Sequence, residues 1–473
     1  MPTYISKNLY SVLILFILSN TVVVAQSQDR ISIERTDSLR GLIIDGQRVN
    51  KLYGNVKLRD RERVFLSDSA YVFPDIDRFE AWGNLQITGE KDIIWANELR
   101  YTAQDDQAEL IGQVIISQDS VTLQSKYARY NFNTEIAEFP EKIQLNDTRS
   151  ILIADSGIFY SKRDSAVFTG NIQLADSSSY LEGDTLRYNR NSGEFWINGT
   201  IFGLNEPDSI RFRGSTIYGD STGYKRIIGD AIIEKVTGEE SDSSFYFAQV
   251  IEYFRDGNDS YRVRANGQAS LWSKEYAARA DSVLFEEVLN KAELHGLAMI
   301  WKDRIQLSGG NIKLYLSNAT LDSIKATDTP FIVLQDSVHT RLHQLKGELM
   351  QMYFDSTGIR SIHIPRKTQL LYFPLNEDNK ADGAIRVQVQ SLSLTFENNE
   401  IIEIIGFETP DGEFFEESDQ ISNMRLDGFL YTPELRPNRP LIRPEPRLLR
   451  PDLDQQLITL PKMYLLYLDD TKQ

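Results

Sequence analysis

The chain has 473 residues, 51 basic against 68 acidic side chains for a net charge of −17, and no cysteine. That charge excludes a general nucleic-acid binder, which needs a basic face against phosphate, and no Lys/Arg stripe with interleaved aromatics occurs. Without cysteine there is neither a disulfide framework nor a thiol to carry a lipid behind a signal peptide, so packing and hydrogen bonding must hold the fold.

Residues 1–25 read as a cleaved secretory signal peptide. Lys7 supplies the positive start, residues 9–18 the apolar core, and Val23 and Ala25 the small-residue cleavage site, so the mature chain begins near Gln26. An apolar run of about ten residues is too short for a bilayer-crossing helix, which needs roughly 20. The alternative is an uncleaved N-terminal anchor. The expectation is export to the periplasm, with association at the outer membrane as a further placement.

Behind this segment a unit repeats: a bulky residue, Gly, then alternating apolar residues. Tyr53-Gly54-Asn55-Val56, Trp82-Gly83-Asn84-Leu85 and Ile111-Gly112-Gln113-Val114 are the first copies. A degenerate copy with Pro140 in the glycine slot follows, then copies at Gly170, Gly199, Gly229, Gly267 and Gly296. The spacings are 29, 29, 28, 30, 29, 30, 38 and 29 residues. A period so nearly fixed over nine copies predicts an array whose units cannot bury their apolar faces alone. The long spacing holds two polar inserts, Gly238–Ser244 and Asp256–Ser260, read as extruded loops. Midway through each copy comes a small residue, then Asp or Asn, then an aromatic about four residues on: Ala96-Asn97 with Tyr101, Ala154-Asp155 with Phe159, Gly183-Asp184 with Tyr188, Ala280-Asp281 with Phe285.

Segments such as Asn84-Leu85-Gln86-Ile87-Thr88 alternate with period two and are rich in strand formers, which predicts half-buried β-strands. Each copy is then an antiparallel pair, and the fold class is all-β: a stacked repeat roll or open β-jellyroll. Stretches near residues 275–290 and 340–353 have helical propensity, but the repeat frame and the alternation favour strand.

The second and fourth positions after each glycine form one apolar stripe: Val56 and Leu58, Leu85 and Ile87, Val114 and Ile116, Ile143 and Leu145, Ile172 and Leu174, Ile201, Ala231 and Ile233, Ala269 and Leu271, Ala298 and Ile300. Two readings follow. The stripe is the dry interior of a closed solenoid, or it lines a trough that takes acyl chains along its length. Pattern alone favours the closed core, because apolar stripes are usually core. In the trough reading, a mild change such as Ile172→Ser reduces lipid binding and leaves folding largely intact.

The Gly-Asn turn, the alternating strand after it and the small-Asp/Asn-x-x-x-aromatic strand resemble the OstA-like family of periplasmic proteins over roughly residues 45–320. That family includes the LptA-type bridge of lipopolysaccharide transport. The resemblance implies an open β-jellyroll with a V-shaped interior that binds the lipid part of lipopolysaccharide, and members that stack end to end by strand addition. It moves the stripe toward the open-trough reading. The expected partners are lipopolysaccharide acyl chains, other β-jellyroll proteins of the bridge through sheet edges, and further copies of the chain itself. The chain is longer than a simple bridge protein and has no room for a β-barrel, so it looks like the long OstA-like proteins of Bacteroidetes-type bacteria.

The expected division is a signal peptide over 1–25, jellyroll repeats over 30–325, a degenerate β continuation over 326–430 and a Pro/Arg-rich tail over 431–473. In the tail, Pro437, Pro440, Pro444, Pro446 and Pro451 alternate with Arg436, Arg439, Arg443, Arg447 and Arg450, a composition that favours extended chain. It reads either as a docking strap for an anionic surface or as a linker or strap along the protein's own sheet.

No phosphate loop, nucleophile elbow or zinc-protease motif occurs. His339 and His343 have metal-compatible spacing without accompanying carboxylates, and His295 occupies a packing slot. The Asp and Asn that recur once per copy (Asp155, Asp184, Asp281, with Asn97 and Asn311 in the same slot) are read as turn chemistry, accepting from nearby backbone N–H groups. The glycine is read as serving a bulge or positive φ. The expectation is a binding protein with no catalytic residue, metal or cofactor. The alternative is a structural or adhesive solenoid without a lipid ligand.

Overall fold

The computed structural model describes residues 31–461, apart from positions 90, 148, 208, 237–242, 258–259, 318–319, 357, 443–445, 449–450 and 452–457. The signal peptide lies outside these residues, as do parts of the two polar inserts. Thirty-two strands are joined into one antiparallel sheet, and the described residues contain no α-helix. No helix among them is long and apolar enough to cross a membrane. The two stretches with helical propensity are strands, Tyr276–Glu286 and the pair Leu342–Lys346 and Leu349–Asp355.

Each copy supplies two strands of about eleven residues, such as Arg78–Thr88 and Asp92–Thr102. One long strand of each copy is interrupted at the repeat glycine, where the register shifts between Trp82 and Leu85 and between Ile111 and Val114. At the first of these glycines the cause is visible in the backbone. Gly83 has φ +76°, and the following Asn84 has φ 44°. Asn84 Nδ2 donates to Asp68 Oδ2 of the preceding strand at 2.9 Å, and a Cβ on Gly83 would lie 2.5 Å from that same carboxylate oxygen. Gly170, Asn171 and Asp155 repeat the arrangement, with a 2.8 Å bond. The Gly-Asn dipeptide and the Asp of the previous strand are one device: a bulge with two left-handed residues, capped by a neighbouring carboxylate. The acceptor role expected for Asp holds, but its usual donor is the Asn side chain. Only where Thr200 replaces Asn does Asp184 take a backbone N–H, at 3.1 Å.

The bulge folds the sheet in half. Phe79 pairs with Val72, seven residues beyond Phe65 on one strand. A straight strand would hold Phe65 and Val72 about 23 Å apart, yet the Phe65 and Phe79 ring centroids lie 5.0 Å from each other. Each strand therefore turns at its bulge and lends one half to each of two facing walls. The first wall holds the halves after the glycine, such as Val56–Asp60 and Leu85–Thr88. The second holds the halves before it, such as Arg78–Trp82. One apolar core between them runs from Leu52 to Phe396. The hairpin turns of both walls meet along a seam opposite the fold line.

Pro140 breaks its strand into Ile136–Phe139 and Ile143–Asn146, since proline cannot donate to the ladder. Both pieces keep their partners on both sides, so the array continues through the degenerate copy. The outer face of the second wall is a polar row with cross-strand pairs such as Arg100–Glu109 and Arg129–Glu138, both 3.7 Å. Exposed pairs of this kind contribute little stability. The outer face of the first wall differs: Gln86 and Trp95 are only 2% and 6% exposed although they point away from the core.

Candidate functional site

The stripe residues lie on the inner face of the first wall, because their even spacing from the bulge sends them inward. Their exposure divides them. Val56, Leu58, Leu85, Ile87, Val114, Ile116, Ile143, Ile172, Ile201, Leu271 and Ile300 are at most 3% exposed. Leu145, Leu174 and Ile233 are partly exposed and pack against the core from its rim. The three are seam-side positions of the middle copies, with Gly203 at the same position of the copy between Leu174 and Ile233.

The strands Ser179–Asn189, Ile210–Gly219 and Ser244–Asp256 add Leu181, Phe212 and Tyr246 at the seam side of the same wall, also partly exposed. The second wall faces them with Phe159, Phe195, Val263 and Phe285, again partly exposed, and with Tyr188 at 40%. From about residue 145 to residue 285, then, both lips of the seam present apolar side chains to solvent. The Ile172→Ser change expected to spare folding does not have that property: Ile172 is fully buried (0% exposed), and a hydroxyl there would lack a partner. Leu174, two residues on, is the position that meets the requirement.

The ends are closed. At the N-terminal end Tyr101 donates to Asp60 and, at 3.1 Å, to Asp106. Arg63 bonds Asp106 at 3.2 Å and lies 4.4 Å over the Phe132 ring. Arg61 reaches Asp106 at 3.0 Å. Asp60, Arg61 and Arg63 belong to a first-wall turn, and Tyr101, Asp106 and Phe132 to the second wall, so this cluster ties lip to lip. Burial raises the Asp106 carboxyl, but the charge of Arg63 and the Tyr101 and Arg63 hydrogen bonds outweigh it, and the group stays ionised below its ordinary value. Burial, then Asp60, pushes the Tyr101 phenol up, so it remains a donor. Tyr130 donates to Asp92 across the same seam at 2.7 Å. At the far end Arg304 bonds Glu400 at 2.5 Å, joining a first-wall turn to a second-wall turn.

The aromatic four residues after the recurrent Asp/Asn is the residue at the second-wall lip: Tyr101, Phe159, Tyr188, Phe285. The sequence pattern marks these aromatics as recurrent but does not by itself place them at the site. Tyr71 follows Asp68 by only three residues, so the alternation turns it outward, where it packs on Trp82 at 5.0 Å.

The histidine pair does not converge. His343 is buried, accepts from the Phe373 backbone N–H at 3.1 Å and stacks on Tyr372, while the His339 ring meets the Asn379 carbonyl at 3.0 Å. Burial lowers His343 to about 4, so the ring is neutral. His295 sits beside Asn311 at 3.3 Å.

Residues 28–184 match the family model for OstA-like proteins. Among solved structures, the chain is similar to LptH from Pseudomonas aeruginosa, described as the LptA-homologous periplasmic component of a conserved lipopolysaccharide transport device. The identity is 18%, over 29% of this chain and 75% of that one, with a TM-score of 0.16. No curated protein matches the chain. The similarity to the OstA-like proteins covers residues 28–184.

Proposed function

We infer that this protein is a periplasmic lipid-binding component of lipopolysaccharide transport and outer-membrane assembly, and that acyl chains lie between its two walls in the middle of the array. One observation carries the reading. Polar ties cross the seam towards both ends, while between about residues 145 and 285 both lips carry partly exposed apolar side chains. Acyl chains entering there trade water for apolar surface, at about 25 cal/mol per Å² buried. The OstA-like match over residues 28–184 and the resemblance of the repeat support the same class of ligand.

The sheet edges supply the partner surfaces in this reading. The first edge is formed by Ser32–Arg35 and Ser38–Ile44, the last by Glu400–Phe407 and Asp411–Phe415. Ile43 (77% exposed) and Phe414 (56%) lie on them. Unpaired edges with exposed apolar residues take up further strands, here those of other β-jellyroll proteins or of further copies.

The test is photocrosslinking in the native envelope, with a photoreactive residue at Leu174, Ile233, Ile87 or the exposed Gln113. Lipopolysaccharide adducts at Leu174 and Ile233, and none at Ile87 or Gln113, are expected. Folded protein without adducts at either lip position overturns the reading. The closed solenoid, which the sealed ends favour, would then describe the whole array.

A further inference from the structure

The Pro/Arg-rich tail is the largest feature that lipid binding does not absorb. It runs back along the outer face of the first wall, against the direction of the array. The segment leading into it is packed: Ile421 and Leu426 are buried with Phe331, Val333, Leu371 and Phe373. There Gln344 donates to the Met424 carbonyl and accepts from Leu426 N–H, at 3.2 and 2.8 Å.

Beyond Tyr431 the character changes. Gln306 Nε2 donates to the Leu430 carbonyl at 2.9 Å, and its oxygen accepts from Thr432 N–H at 2.8 Å. The Arg439 guanidinium lies 5.3 Å from the Phe245 ring and 5.9 Å from Trp272. Arg213 donates to the Leu441 carbonyl at 3.0 Å, while the Leu441 side chain is 89% exposed. Glu182 then accepts from both Arg447 N–H and Leu448 N–H, at 2.8 and 2.9 Å, and Arg447 pairs with Asp184 at 3.1 Å.

Gln344, Gln306 and Glu182 are each at most 1% exposed on the outer face. Gln344 makes two bonds to main-chain atoms of the segment leading into the tail, Gln306 one to that segment and one to the tail, and Glu182 two to the tail. Buried polar side chains spaced along a sheet and directed at another segment's backbone recognise an extended chain rather than particular side chains. Arg436 and Arg439 each precede a proline, which restricts them to extended backbone. The N–H groups that Gln306 and Glu182 read belong to Thr432, Arg447 and Leu448, none of them proline.

We propose that the outer face of the first wall, from Gln306 to Glu182, is a peptide-recognition groove for an extended arginine- and proline-rich chain. Its occupant is this protein's own tail, held at Thr432, Arg439, Leu441, Arg447 and Leu448 as an arm that detaches independently of the sheet. The arm is basic where the groove offers Glu182 and Asp184, and it is held at separated polar points. The packed segment before it stays in place when it leaves.

Hydrogen exchange on the full chain tests this. Glu182→Gln leaves one of the two N–H groups facing an amide donor, so exchange at Arg447 and Leu448 rises about tenfold, as for loss of a hydrogen bond to a charged group. Thr432, held by Gln306, and strand Ser179–Asn189 stay unchanged. Added salt weakens the same protection by screening Arg447–Asp184. An unlabelled peptide of residues 432–451, supplied above the tether's effective concentration on the order of millimolar, displaces the arm and exposes Leu448, and a scrambled peptide does not. If the Leu448 amide exchanges only together with the sheet, or if both peptides act alike, the proposal fails.

Discussion

The two ends of the array and its middle are built from one repeat, yet they present their apolar interior differently. Near the N-terminus the lip residues Phe79 and Tyr101 are fully buried, and Arg63, Asp60 and Asp106 tie the lips together. In the middle, the same slots hold Phe195 and Tyr188 facing Leu174 and Phe212, all reaching solvent. A repeat frame thus decides that a side chain points inward. Whether inward means dry depends on what crosses the seam.

The largest effect that would sharpen this contrast is in packing. Phe79→Ala at the sealed end should cost about 3–5 kcal/mol, as for a fully buried aromatic. Phe212→Ala in the middle should cost under about 2 kcal/mol, since part of its surface already meets water. Equal losses in urea unfolding would remove the distinction between the regions.

A second difference is in pH. His343, in the closed C-terminal part, is lowered to about 4 by burial, against about 6.5 in the unfolded chain. Between these values the unfolded state binds a proton that the fold excludes. Stability is therefore intact above about 6.5 and falls as pH drops toward about 4, by up to about 3 kcal/mol. His343→Gln should flatten the urea midpoint over that window; an unchanged slope would assign the pH response elsewhere.

The latch itself is worth less. Arg63→Ala leaves the buried Asp60 and Asp106 short of a cation and should cost about 1–3 kcal/mol. Its more specific consequence is access: a cysteine at Ile87 should become reactive to thiol reagents in Arg63→Ala and stay protected in the parent. Protection in both would mean that packing alone, without the latch, closes that end. Smallest is Leu174→Ser, expected to shift stability by less than about 1.5 kcal/mol while lipopolysaccharide crosslinking at Ile233 drops. A large unfolding effect would place Leu174 in the dry core.

Much of this was legible in the residues. The period, the strand pairs and the inward set from Val56 to Ile300 follow from spacing and alternation, because side chains on a strand change face at every step. The Gly-Asn pair and the recurrent Asp were both visible. Their joining into one capped bulge was not, because Asp68 and Asn84 lie in different copies. The partners of the N-terminal latch are also remote: Tyr101 and Asp60 stand 41 residues apart, Tyr130 and Asp92 38.

The sequence by itself determined the repeat, the bulge positions and which residues face inward, since these depend on local stereochemistry and a period of two. Only the tertiary structure decided which inward residues are sealed, as Ile172 is, and which line an opening, as Leu174 does. It also decided that Gln86 and Trp95, on the outer face, are withdrawn from water. Burial depends on what lies opposite a residue, and in a sheet folded on itself that neighbour comes from chain far away in sequence.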